Sequence, residues 1–293
     1  VSNTKTKMSL PSLCLSMAHR SIQSTSHSRP LMSWQGANSQ PSPSGGETYS
    51  VNASTVKEHE EVTASDQTTY VKLLADTAGK PFTVTSSATL GATLPITTPT
   101  ASAGPNHWDT ASNWDPSGVP VAADDVVIEN SDIDILYGID QNAVTLTSLS
   151  IEQSYTGEIG LPDKNAGGSY YEYREKFLKI SATTCTIGQG EGQGSGRLKI
   201  NFGTVATTVN VLNTGSPLDT GLESLLIKGT NAANVLNVTK GSVGVAVFAG
   251  ETATLATLRE GFRDNARGDS NVRCGSGVTL TTIDKLGGTL ETN

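Results

Sequence analysis

Ala253-Thr-Leu-Ala-Thr-Leu258 and Val278-Thr-Leu-Thr-Thr-Ile283 carry one pattern of apolar and hydroxyl side chains, repeated about 25 residues apart. Alternation with period two puts the apolar residues on one face of an extended strand and the hydroxyls on the other. A second pair behaves alike. Val209-Asn-Val-Leu-Asn213-Thr-Gly-Ser216 returns as Val235-Leu-Asn-Val-Thr-Lys-Gly-Ser242, at an offset of about 26 residues. Self-similarity on this period is the signature of a stack in which each coil buries its apolar face against the next.

Working outward, further strands are read at Val126–Ile128, Val144–Ile151, Phe177–Ile180, Thr184–Ile187, Arg197–Ile200, Thr208–Leu212, Ser224–Ile227 and Val243–Phe248. The expected fold is therefore all-β, a single-stranded parallel β-helix or solenoid over residues 104–293. About seven coils at strand spacing would make a stack of roughly 35 Å. The competing architecture is an antiparallel β-sandwich or jelly roll. Composition agrees with thin apolar stacks: 35% hydrophobic, 5% aromatic and 16% charged, the remainder rich in Ser, Thr, Asn and Gly. The last coil, Leu286-Gly-Gly-Thr-Leu-Glu-Thr-Asn293, ends mid-pattern. An open edge invites pairing, so continuation in a longer chain or burial against a partner is expected.

Upstream, Trp108-Asp-Thr-Ala-Ser-Asn-Trp114-Asp-Pro116-Ser-Gly118-Val-Pro120 holds too many conformationally restricted residues for a regular element. It reads as the amino-terminal cap of the stack. Residues 49–103 read as a small β-rich docking module followed by a Thr/Pro/Ala linker. Its expected strands are Thr69–Leu74 and Phe82–Thr85, with a Gly/Pro turn between them and a helical turn or strand start at Val56–Val62. Residues 1–48 are Ser-rich, without either hydrophobic period, and read as a disordered tether. Lys5–Ala18 has the outline of a secretion signal, but Pro11 and several serines dilute its apolar run. No apolar run reaches membrane-spanning length, and the net charge of −8 argues against nucleic acid as a partner.

Catalytic chemistry finds little to stand on. The four histidines, His19, His27, His59 and His107, all precede the strands, which excludes a histidine triad or zinc cluster on the stack. Cys14, Cys185 and Cys274 have no metal-ligand spacing and read as small buried hydrophobes. Asp124, Asp125, Glu129, Asp132 and Asp134 would suit a calcium cage or a carboxylate pair, yet they alternate with Val126, Ile128, Ile133 and Ile135 as solvated strand residues do. The Gly188–Gly196 run lacks the Lys-Ser/Thr of a phosphate loop. Arg197-Leu-Lys199 resembles the Arg-x-Lys pair of β-helical polygalacturonases, without their Gly-His-Gly or paired aspartates. The mixed charges between Arg259 and Arg273 read as a surface loop. No catalytic residue, cofactor or metal is expected. The candidate interaction surface is aromatic: Trp108, Trp114, Tyr170, Tyr171 and Tyr173.

Two stretches carry a resemblance. Ala75-Asp-Thr-Ala-Gly-Lys-Pro-Phe-Thr-Val84, preceded by Thr63–Tyr70, resembles a small module near the amino terminus of tailed-phage structural proteins. Ala111-Ser-Asn-Trp-Asp-Pro-Ser-Gly-Val-Pro-Val-Ala-Ala-Asp-Asp-Val-Val-Ile128 resembles the entry to β-solenoid regions of phage and bacterial surface proteins, continuing through Gly157–Leu161 and Cys274–Leu280. The resemblance spans residues 50–293. It implies a non-enzymatic virion protein (a head decoration, fibre or tail-associated protein) whose partners are other virion proteins. It also implies a homo-oligomer, a trimer being a form such β-helical proteins often take. The alternatives are a bacterial surface adhesin or glycan-binding solenoid, and a polysaccharide-degrading β-helix.

Overall fold

A computed structural model describes residues 4–7, 62–67, 71–82, 96–98, 100–164, 171–172, 174–190, 196–214, 221–261 and 270–292. Among them the structure is all-β, with one 3-10 turn at Ala111–Asn113 and no α-helix. The chain divides into two compact units. One comprises Val1–Pro11, Pro105–Asp163 and Glu172–Asn293; the other comprises Ser12–Gly104 and Lys164–Tyr171.

In the larger unit the strands are β1 (Thr4–Lys7), β4 (Trp114–Asp115), β5 (Asp125–Ile128), β6 (Asp140–Glu152), β7 (Leu178–Gln189), β8 (Leu198–Asn201) and β9 (Thr208–Val211). They continue as β10 (Leu225–Lys228), β11 (Val235–Val238), β12 (Gly241–Val245), β13 (Ala253–Glu260), β14 (Ser270–Cys274), β15 (Val278–Lys285) and β16 (Thr289–Thr292). They form one sheet whose order is β15-β13-β11-β9-β7-β8-β10-β12-β14-β16, with β5 and β6 joined at β7. Apart from β1 with β4, every strand pairing in this unit is parallel. The antiparallel sandwich or jelly roll therefore does not describe it.

Long strand β7 joins the two arms, its first residues pairing with β8 and its last with β9. Odd strands then continue one arm and even strands the other. Following the register along the odd arm, Ser148, Thr184, Thr208, Val235, Thr257 and Thr282 lie side by side. From Thr184 onward the chain thus returns to the same lateral position every 22 to 27 residues, after a longer first interval of 36.

Alternation converts this register into two inner columns. Val126, Leu149, Cys185, Val209, Leu236 and Leu258 form one, each buried, with Ile283 half-exposed at its last rung. Ile128, Ile151, Ile187, Val211 and Val238 form the other, and Glu260 takes its next rung. The even arm supplies Leu198, Leu225, Val243 and Val272 opposite. β-Branched and Leu side chains fill these positions because a parallel sheet buried on its inner face selects stiff, bulky residues.

Two tight corners explain glycines in the repeat. Gly188 and Gly241 have φ of +78° and +109°, and a Cβ at either would collide with Asn213 or Thr214, just past β9.

The amino-terminal reading needs one correction. Within the stretch expected to be a tether, Thr4–Lys7 form β1, pairing with β4 on one side and β5 on the other. In the smaller unit, β2 (Val62–Asp66) and β3 (Val71–Ala75) form an antiparallel hairpin. The strand expected at Thr69–Leu74 is observed as β3, Val71–Ala75, but its partner is Val62–Asp66 rather than Phe82–Thr85. Phe82 is not in a strand, and Thr83–Thr85 lie outside the described residues.

Candidate functional site

The aromatic residues singled out in the sequence have different fates. Trp108 and Trp114 are 0% and 1% exposed, so neither presents an interaction surface. Their rings meet edge to face at 4.7 Å, and the Trp114 Nε1–H donates to the Trp108 carbonyl at 2.8 Å. The Asn113 amide donates to the His107 carbonyl at 2.7 Å, and the Trp108 N–H to the Tyr137 carbonyl at 2.9 Å. The block reads as a plug because it brings the two largest side chains onto the first rungs of the core. Among the described residues Trp108 Nε1 has no hydrogen-bond partner, a cost accepted to fill that space.

Tyr171 is 67% exposed, with the Lys164 ammonium 4.9 Å from its ring centroid. Among the described candidates it is the accessible aromatic contact. Tyr170 and Tyr173 lie outside the described residues.

The acidic residues near β5 do not converge. Asp124 is buried and accepts the Val121 N–H at 3.0 Å, Asp125 accepts from Ser148 Oγ at 2.6 Å, and Asp134 accepts the Glu158 N–H at 2.8 Å. Each closes a turn or a rung. Among the described residues no group of three His, Cys, Asp or Glu is arranged to hold a metal. Arg197 clips the carbonyls of Glu223 and Leu222 at 3.0 and 3.2 Å. Lys199 is buried and donates to the Leu161 carbonyl at 2.7 Å; burial pulls its pKa below the usual lysine range. Both tie together stretches of backbone that are distant in sequence. The Gly-rich run is described only at its two ends, with residues 191–195 outside.

The stack also aligns residues that spacing alone did not reveal. Outward-facing Ser150, Thr186, Asn210, Asn237, Arg259 and Asp284 occupy one register position on successive rungs. Asn237 donates to Asn210 at 2.9 Å and Arg259 to Asn237 Oδ1 at 3.2 Å, with Asp284 3.9 Å from Arg259. Beside them runs the second outward column, Ser148, Thr184, Thr208, Val235, Thr257 and Thr282. A broad face of hydroxyl and amide groups results, able to offer hydrogen bonds at every rung.

On the even side, Lys228 stands 4.0 Å from the Phe177 ring and pairs with Glu251 at 2.8 Å. Lys176 stands 5.0 Å from Phe248, whose ring meets Phe177 edge to face at 6.5 Å. These cation–π contacts and ion pairs engage both Lys176 and Lys228.

No protein-family model, curated protein or solved structure matches the chain.

Proposed function

We propose that residues 104–293 form a single-stranded parallel β-helix and that the chain is a non-enzymatic structural protein of a tailed-phage particle. It acts by docking to other virion proteins as a head decoration, fibre or tail-associated component. The observation carrying this reading is the parallel pairing that runs from β5 to β15, seven rungs tied by inner apolar columns and outer polar ties. Such a stack is a stiff spacer whose length is set by its number of coils. The residues with chemical potential, Arg197, Lys199 and Asp124, are engaged in holding turns and coils. The particle assignment rests on the resemblance of Ala75–Val84 and Ala111–Ile128.

Mass spectrometry of purified virions from the source sample tests it. Peptides from residues 50–293 in fixed ratio to the capsid subunit are expected. Their absence from clean particles, with recovery in a cell-surface fraction, overturns the virion role.

A second reading, a glycan-binding surface protein, is favoured by the Ser/Thr/Asn face of the stack and, separately, by the exposed Tyr171 ring of the smaller unit. Retention on immobilised glycans, weakened by Tyr171→Ala, would distinguish it.

A further inference from the structure

The inner column that begins at Ile128 changes character near its end. Ile128, Ile151, Ile187, Val211 and Val238 occupy successive rungs, followed by Glu260 and then Lys285. A carboxyl therefore stands where the stack below it is aliphatic. It is 1% exposed, and burying it as an anion is costly unless partners compensate. Its Oε1 accepts from Ser270 Oγ at 3.2 Å, while its Oε2 has no partner among the described residues.

The last coil closes directly over this carboxyl. Gly288, at φ +75°, lies so close that a Cβ on it would collide with Glu260 Oε1 and Ser270 Oγ. The Glu260 carbonyl accepts the Leu286 N–H at 2.9 Å, and Lys285 Nζ donates to the Gly288 carbonyl at 2.6 Å. The turn between β15 and β16 is thus built around Glu260. Beyond that turn the hold is thin. Among the described strands β15 pairs with β13 alone and β16 with β14 alone, and Ile283 and Leu286 are 52% and 59% exposed. A coil held in this way opens locally at lower cost than the rungs beneath it.

Among the described residues, Lys285 and Cys274 are the titratable groups within electrostatic range of the carboxyl. The other charges on these strands are engaged elsewhere: Arg259 faces Asp284, Arg273 pairs with Glu223, and Glu291 lies beside Arg273. Lys285, Ser270 and the Thr289 N–H favour the ionised carboxylate, yet burial outweighs them and holds the group above the usual glutamate range. When the last coil lifts, water reaches the carboxyl and that penalty disappears. The closed coil therefore binds the proton more tightly than the open one. Closure is fullest at low pH and weakens as pH rises through the raised value.

We propose that Glu260 is a proton-operated latch: protonated, it holds the turn at residues 285–289 down on Ser270; ionised, it lets β15 and β16 lift from β13 and β14. The device opens one coil rather than unfolding the chain, and it does not depend on which particle, if any, the protein joins.

Hydrogen exchange of the full chain, read by mass spectrometry from pH 5 to 8 and corrected for intrinsic exchange, tests it. Exchange in residues 278–292 should rise by up to about tenfold per pH unit and then level off, as one titrating group dictates. Residues 235–245 should keep their protection throughout. Glu260→Gln, a neutral isostere, should abolish the rise. Glu260→Val, which continues the column of Val211 and Val238, serves if the first variant does not fold. A corrected rate in residues 278–292 that is independent of pH in the wild type overturns the proposal. So does a rise that persists in the variant, or one shared by residues 235–245.

Discussion

The Asn237 side-chain amide donates at 2.9 Å to the Asn210 side-chain oxygen, 27 residues earlier in the chain and one rung away in space. Asn237 in turn accepts from Arg259 one rung further on. One outward side chain therefore ties three adjacent strands, β9, β11 and β13. Asn237→Ala removes both bonds on a half-exposed face and should cost about 1 kcal/mol, lowering Tm by about 2–4 °C. A double-mutant cycle with Asn210→Ala should show coupling. Purely additive effects would mean the two amides do not interact.

The paired tryptophans give a larger effect. Trp114→Ala should destabilise the fold by about 3–5 kcal/mol, since it empties a buried site and removes the edge-to-face partner of Trp108. Trp114→Phe keeps an aromatic ring but loses the Nε1–H bond to the Trp108 carbonyl. It should cost about 1–2 kcal/mol. Chemical denaturation would order the three proteins, and equal stability of Trp114→Ala and wild type would contradict the buried plug.

Glu260 occupies a rung that Ile128, Ile151, Ile187, Val211 and Val238 fill below it. It is 1% exposed, its Oε1 accepts from Ser270 Oγ at 3.2 Å, and its Oε2 has no partner among the described residues. Burial raises its pKa above the usual glutamate range, outweighing Lys285 and Ser270. The folded state therefore binds this proton more tightly than the unfolded state. Its contribution is greatest below the unfolded pKa and is lost as pH rises through the higher folded value. Glu260→Gln should flatten that part of the pH–stability curve and raise stability at neutral pH. Unchanged slopes in urea melts taken from pH 4 to 8 would sink this assignment.

Cys185 and Cys274 lie in the inner columns of opposite arms. Burial raises both thiol pKa values, that of Cys274 to about 11. Neither should react with iodoacetamide in the native protein at pH 8, and both should react once the chain is unfolded. Peptide mapping after a native pulse reads this directly. Rapid native labelling of Cys185 would place it outside the core.

How far the fold was legible depended on where the apolar pattern was strong. The match of Thr254–Leu258 with Thr279–Ile283 is the observed register, Thr254 beside Thr279 and Leu258 beside Ile283. The match of Val209 with Val235 is off by one, since Val209 lies beside Leu236. The recurring Gly-Ser pairs drew the alignment toward the corners, whereas the inner column sets the register, and a slip of one residue exchanges the faces. β14 was read as part of a charged loop because Val272 is its one large aliphatic residue. β1 has no apolar residue at all. The Asn210–Asn237 tie could not be read from spacing, because only the true register brings those residues together. Trp108 and Trp114 fitted both a cap and a surface; burial decides for the cap.

The stacked parallel register is most directly tested by distances between spin labels on outward positions of the odd arm. Label pairs at Ser148/Thr282 and Thr184/Thr282 are separated by five and four rungs. A parallel β-helix predicts backbone separations of about 24 and 19 Å, shrinking by about 4.8 Å for each rung removed. Distances that do not scale with rung number would contradict the stack.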